Sequence, residues 1–193
     1  MHVKELFPTQ IFTDINLELA EKLLPLCNKY TSITDTNCLH IEDFPSTLQN
    51  KDLEVAVNEE PLVKYALDYI IKNCLIPFLD YKGIDLKSYL RPYGFFSSMN
   101  KGAHLRKHCH LDCMFSGIVY LEVGENVPPL RLYDPRPFRD FMHFPIVKNS
   151  YRNESIHILE PKTGMIAIWD SWLNHEVHEK LTDDPRKTFV FNL

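Results

Sequence analysis

The chain has 193 residues, 45% of them hydrophobic and 12% aromatic, with a formal net charge of −5. That length suits one domain with a sizeable core, and the composition is globular rather than disordered. No long run of one charge sign and no apolar stretch of ~18 residues occurs, so nothing in the chain asks for nucleic acid, an anionic membrane surface or a bilayer.

The opening "MHVKELFPTQIF" lacks the apolar core of a signal peptide, which predicts a soluble, cytoplasmic protein. Further on, "DINLELAEKLLPLCNKY" carries Leu19, Leu23 and Leu26 at helical spacing, with Pro25 expected to kink or end the helix. A stronger helix is predicted in "NEEPLVKYALDYIIKNCLIPFL". Asn58 is its expected cap, Pro61 sits in its first turn, and Leu62, Ala66, Leu67, Ile70 and Cys74 form its stripe. Pro77 and Gly83 are expected to close it.

From Leu90 the pattern turns to β. "FSGIVYLEV", "LRLYD", "IHILEP", "GMIAIWDSW" and "KTFVFNL" are short strand-type runs, with "EVGENVPP", "DPRPF" and "EPKTG" as turns between them. Many short strands predict a sandwich or barrel rather than a parallel sheet. The long irregular stretch "RPFRDFMHFPIVKNSYRNES" reads as a binding loop or lid. Five cysteines at 27, 38, 74, 109 and 113 are odd in number and lack framework spacing, so reduced thiols are expected.

Chemistry concentrates in "LRKHCHLDC". On an extended segment His108, His110 and Asp112 share one face, and Cys109 and Cys113 the other. The two cysteines read as packed thiols. A single histidine on a strand is more often packed or exposed than a ligand, and His40, His104, His143, His157 and His178 keep that reading. Later come "WDSWLNHEVH", with His175 near the end of a strand, and Arg186, eleven residues on, opening the last strand. Trp169 and Trp172 read as core aromatics.

The ordered set "HCHLDCMFSGIVYL", "DPR", "PKTG", "SWLNHEV" and "RKTFVFN", with "LFPTQIF" at the start, resembles the iron(II)- and 2-oxoglutarate-dependent oxygenases. It looks most like a bacterial and phage group of that superfamily, and the resemblance spans nearly the whole chain. It implies a mainly β fold: a double-stranded β-helix, or jelly roll, in residues 89–193, supported by a helical region in residues 1–88. It also implies a non-haem Fe(II) dioxygenase that decarboxylates 2-oxoglutarate to succinate and CO2 while hydroxylating a substrate. The partners are then 2-oxoglutarate, O2 and a substrate that the sequence does not identify; a homodimer is expected.

By the same resemblance His108, His110 and His175 are the metal ligands, and Arg186 anchors the far carboxylate of 2-oxoglutarate. A guanidinium fork suits that task because it matches a carboxylate with two charge-assisted bonds. Tyr120 is a second candidate for that carboxylate and reads equally as a core tyrosine. Arg136 of "DPR" is a candidate substrate contact or simply part of a turn. Arg186 also has a bland reading, an ion pair with Asp183 or Asp184.

Two ligand frames stay open, because the wider superfamily uses H-x-D. His110 belongs to both, paired with His108 in one and Asp112 in the other. All three cannot serve one ion from a regular strand, since positions i and i+4 lie about 13 Å apart. The resemblance favours His108 and His110, because the group's spacing to "SG" fixes those two histidines. Two other functions fit the same residues: a non-catalytic metal-binding jelly roll, and a three-histidine dioxygenase that does not use 2-oxoglutarate.

Overall fold

The computed structural model describes residues 3–33, 46–85, 90–136, 145–148 and 150–193. Cys38, His40 and His143, with 137–144 and 149 of the long loop, lie outside the described residues. In chain order the elements are β1 (Ile11–Ile15), α1 (Leu17–Thr31), α2 (Lys51–Glu59), α3 (Pro61–Ile70), α4 (Ile76–Lys82), β2 (Tyr93–Ser98), β3 (Leu105–His108), β4 (Phe115–Val123), β5 (Leu130–Tyr133), β6 (Ile156–Leu159), β7 (Met165–Asp170), β8 (His175–Val177) and β9 (Arg186–Asn192).

All the strand pairs are antiparallel, and they form two sheets. One has the order β1-β7-β4-β9-β2, the other β3-β8-β5-β6. This is the expected jelly roll with helices on one side. β4 is central in the larger sheet and covered on both faces, which is why "FSGIVYL" is nearly continuous in apolar residues. Its neighbours alternate. Ile166, Ile168, Phe189 and Phe191 join Val119 and Leu121 beneath the helices, while Ala167, Trp169, Ile118 and Tyr120 face the smaller sheet. Burying each such large apolar side chain is worth about 1.5–3 kcal/mol. Gly117 is small because the Phe191 ring lies across it; a Cβ there would overlap that ring and come within 2.6 Å of the Ala167 carbonyl oxygen.

Several expectations need correction. The first half is not wholly helical: β1 pairs with β7 from Ile11↔Trp169 to Ile15↔Met165 and forms an edge of the larger sheet. α1 runs on through Pro25, its buried stripe of Leu19, Leu23, Cys27 and Tyr30 holding it against the sheet. Asn58 does not cap α3. It lies in the last turn of α2, and its amide bridges to β2, donating to the Gly94 carbonyl at 2.9 Å and accepting the Gly94 N–H at 2.8 Å. Pro77 does not stop the helical run either. A π turn over Ile71–Leu75 comes just before it, and α4 then resumes with Pro77 in its first turn, where the missing N–H is tolerated. Gly83 does close the run, with φ 70.

A partly buried ion pair ties the helices to the sandwich: Lys82 Nζ lies 2.7 Å from Asp170 Oδ2 at the end of β7. Among the described residues no helix is long and apolar enough to cross a membrane.

Candidate metal centre

β3 and β8 pair so that His108 and His175 are direct Cα partners, which puts two imidazoles side by side on one face. Past His108 the chain leaves the ladder, and the His110 N–H bonds to the Ser171 carbonyl at 2.9 Å. That turn brings the third imidazole over. Ring centroids are 4.3 Å apart for His108–His175, 5.1 Å for His110–His175 and 5.2 Å for His108–His110. One ring nitrogen from each lies within 4.8 Å of the others, and this is the one such group of histidine, cysteine and acidic side chains among the described residues. Ligand nitrogens about 2.1 Å from a shared ion sit roughly 3–3.5 Å from one another, so the cluster has the right scale.

Of the two ligand frames, the geometry assembles the first. Asp112 is exposed at the cavity rim and does not join the cluster. Residues 109–114 are not extended, so Cys109 and Cys113 line the same cavity as the histidines instead of facing away.

The electrostatics suit ligation. Burial first, then the neighbouring His108, push the His175 pKa down to about 3. Burial also lowers His110, against the hydrogen bond that its Nδ1 gives to Asn192 Oδ1. Both shifts favour the neutral ring, the form with a lone pair for an ion. His175 packs edge-on against Trp169 at 5.2 Å.

The cavity around the cluster is about 460 Å³ and reaches Arg186, Thr188, Val190 and Asn192 along one face of β9. Arg186 is 6% exposed. Its Nε donates to the Pro128 carbonyl at 3.2 Å, and its guanidinium lies 5.4 Å from the centre of the Tyr120 ring. Nη2 is buried with no hydrogen-bond partner, and no carboxylate pairs with it among the described residues. The ion pair with Asp183 or Asp184 is not formed: Asp183 sits by Lys101, and Asp184 accepts from the Asn126 N–H. A buried, unpaired guanidinium is costly unless an anion completes it. The residues thus fit both an ion and a carboxylate.

Tyr120 is fully buried and its hydroxyl makes no hydrogen bond of regular geometry, though it interacts with the Arg186 guanidinium; it packs on Arg186 rather than lining the cavity. Burial raises its pKa, with Arg186 opposing. Arg136 is not brought here. It forms a two-pronged pair with Asp134 and lines a separate groove with residues 5–9. Trp169 is a core residue as expected, but Trp172 is half exposed. His157 pairs with Glu154 and His178 with Glu176, away from the cluster. Thr188 and Asn192 were missed in the sequence; counting every second residue from Arg186 along a strand would have found them.

Residues 95–192 match the family model described as "Putative 2OG-Fe(II) oxygenase". No curated protein sequence matches the chain. Among solved structures, a prolyl-4-hydroxylase from Pseudomonas putida is similar at TM-score 0.64 and 15% identity, over 96% of this chain and 92% of its own. A Trichoplax adhaerens prolyl hydroxylase in complex with a hypoxia inducible factor peptide fragment is similar at TM-score 0.59 and 13% identity, over 94% and 82% of the two chains. HygX from Streptomyces hygroscopicus, with nickel, 2-oxoglutarate and hygromycin B bound, is similar at TM-score 0.53 and 13% identity, over 95% and 83%. At such identities these likenesses speak to the fold. The family model covers just over half of the chain and the whole span from His108 to Arg186, and on that match the chain belongs to the 2OG-Fe(II) oxygenases, enzymes that depend on iron(II) and 2-oxoglutarate.

Proposed function

We propose that the chain is a dioxygenase that hydroxylates an organic substrate, with His108, His110 and His175 holding Fe(II) and Arg186 anchoring 2-oxoglutarate. The observation that carries this reading is the pairing, within one cavity, of three converging imidazoles and a buried guanidinium without an anion. When bound, the iron and cosubstrate supply the oxygen chemistry, in which 2-oxoglutarate becomes succinate and CO2 and one oxygen atom goes to the substrate.

The protein's part is binding and exclusion of water. An imidazole that ligates offers a lone pair and adds no charge, so such a set would leave the ion its full positive charge, which a dicarboxylate dianion offsets. Arg186 grips the far carboxylate through the face that Pro128 and Tyr120 leave open. Ile118, Leu130, Val177 and Val190 wall the cavity and keep the local dielectric low, which strengthens that pair. Tyr120 supports the guanidinium from its ring face, a cation–π contact worth about 0.5–2 kcal/mol. Arg136 is left without a part in this scheme, since it lines another groove.

A second reading keeps the metal and drops 2-oxoglutarate. It is favoured by the lack of a carboxylate in the ligand cluster. One assay separates the two: Fe(II), ascorbate and labelled 2-oxoglutarate in air. The first reading expects slow succinate release without substrate and a change in the metal's absorption when 2-oxoglutarate is added. Metal binding with neither signal would favour the second.

A further inference from the structure

We propose that Asn192 is a positioning residue that holds His110 in the tautomer able to bind a metal; this rests on reading His108, His110 and His175 as ligands. A ligating imidazole needs a bare nitrogen toward the ion and a proton on the other nitrogen, given to an acceptor. The main chain arranges this for two of the three rings. His108 Nδ1 lies 2.7 Å from the Arg106 carbonyl oxygen, and His175 Nδ1 lies 2.9 Å from that of Leu173. A carbonyl oxygen only accepts, so both protons sit on Nδ1 and both Nε2 atoms are bare.

His110 has no such guarantee. Its Nδ1 faces a side chain, Asn192 Oδ1, at 2.8 Å, while its Nε2 lies 3.3 Å from His108 Nε2. An amide has two unlike ends. Turned over, its NH2 would face Nδ1, the proton would move to Nε2, and that nitrogen could no longer ligate. The orientation of one buried amide therefore decides whether the third ligand is usable.

The surroundings favour the productive orientation. Asn192 is 2% exposed, and each of its polar atoms is engaged. Nδ2 donates to Tyr93 Oη at 2.8 Å, but a phenol accepts or donates, so Tyr93 alone decides nothing. The other side decides. Ser116 Oγ approaches Oδ1 at 2.9 Å and Cys113 Sγ at 3.4 Å, and both are tied to Ser171 Oγ, at 2.8 and 3.0 Å. Reversed, the NH2 would face the Cys113 sulfur, which accepts poorly. As it stands, the two lone pairs of the carbonyl oxygen take the imidazole N–H and the Ser116 hydroxyl, with the Cys113 thiol as a weak, longer third donor. β9 thus serves both ends of the cavity, Arg186 at its start and Asn192 at its close.

The test is a Co(II) titration of the full chain, followed by absorbance, for the wild type, Asn192→Leu, Asn192→Asp and His175→Ala. Leucine removes the acceptor, and the Co(II) dissociation constant should rise about 10–100-fold. Aspartate only accepts, so its affinity should stay within about threefold of the wild type or tighten. A leucine variant that binds like the wild type, or an aspartate variant as weak as leucine, overturns the proposal. Should the leucine variant not fold, the aspartate titration and 15N NMR of the metal-free wild type decide. The spectrum should show His110 protonated at Nδ1, and a proton on Nε2 overturns the assignment. His175→Ala reports on the underlying reading: it should abolish Co(II) binding, and wild-type affinity there would reject the three-histidine site itself. Failure of the Asn192 arms alone leaves that site standing.

Discussion

The two faces of the larger sheet are built to different ends, and β9 shows it within seven residues. Toward the helices it presents Phe189 and Phe191, both fully buried among apolar neighbours. Toward the smaller sheet it presents Arg186, Thr188 and Asn192, which line the cavity. Four buried side-chain polar atoms lack hydrogen-bond partners among the described residues, on Tyr120, Arg131, Trp169 and Arg186. Three of them sit on the cavity side of this sheet, on β4, β7 and β9, and none is on the helix side. Buried polar groups are normally satisfied, and of these residues Arg186 borders the cavity with no carboxylate beside it among the described residues, a gap that a bound carboxylate would fill. One face holds the fold together and the other is left incomplete for binding.

Substitutions can test that division. Phe189→Ala should cost the most, about 3–5 kcal/mol of stability in denaturant melts. The protein that remains folded should bind 2-oxoglutarate as the wild type does; a large change in that affinity would blur the two faces. Arg186→Leu should do the opposite. Stability of the metal-free protein should hold or rise, because an unpaired buried charge is removed. The 2-oxoglutarate dissociation constant should rise more than tenfold, since a lost charge-assisted pair is worth about 1.5–3 kcal/mol. An unchanged constant would reject the anchoring role.

A pH series sharpens the contrast further. His175 has its folded pKa depressed to about 3, while the unfolded chain titrates near the ordinary 6.5. Its contribution to metal-free stability is then complete above 6.5 and is lost as pH falls toward 3, because only the unfolded state takes up the proton. At pH 5 the loss relative to His175→Leu should be about 2 kcal/mol. Parallel melting curves for the two proteins between pH 7.5 and 4 would mean the ring is not held neutral. The smallest effect belongs to Asp112→Ala, which should leave the metal dissociation constant within about twofold, as expected of an exposed rim residue. A loss like that of a missing ligand would restore the aspartate frame.

β4 was legible because it is covered on both faces, so "FSGIVYLEV" matches it residue for residue. β1 was not, because "IFTDI" is a short, half-exposed edge strand whose polar residues blur the pattern. β2 was missed because Gly94, Ser97 and Ser98 weaken the strand signal, and long-range pairing with β9 supplies what local preference lacks. Pro25 and Pro77 misled because tertiary packing and a π turn outweighed a local rule. At the site, motif order singled out His108, His110, His175 and Arg186. The choice of frame depended on the chain leaving β3 after His108, a bend no periodicity reveals. Arg136 shows the same limit, since a "DPR" turn says nothing about which opening of the sandwich it borders.

β3 is four residues long and lies at the edge of its sheet, bonded to β8 alone. Such a strand frays easily, as there is little to hold it but one ladder. Yet its last residue, His108, stands directly across from His175. An ion shared by those two rings would act as a rivet through the ladder, so that gaining or losing iron would also tighten or loosen this margin of the molecule and change how readily a protease cuts there.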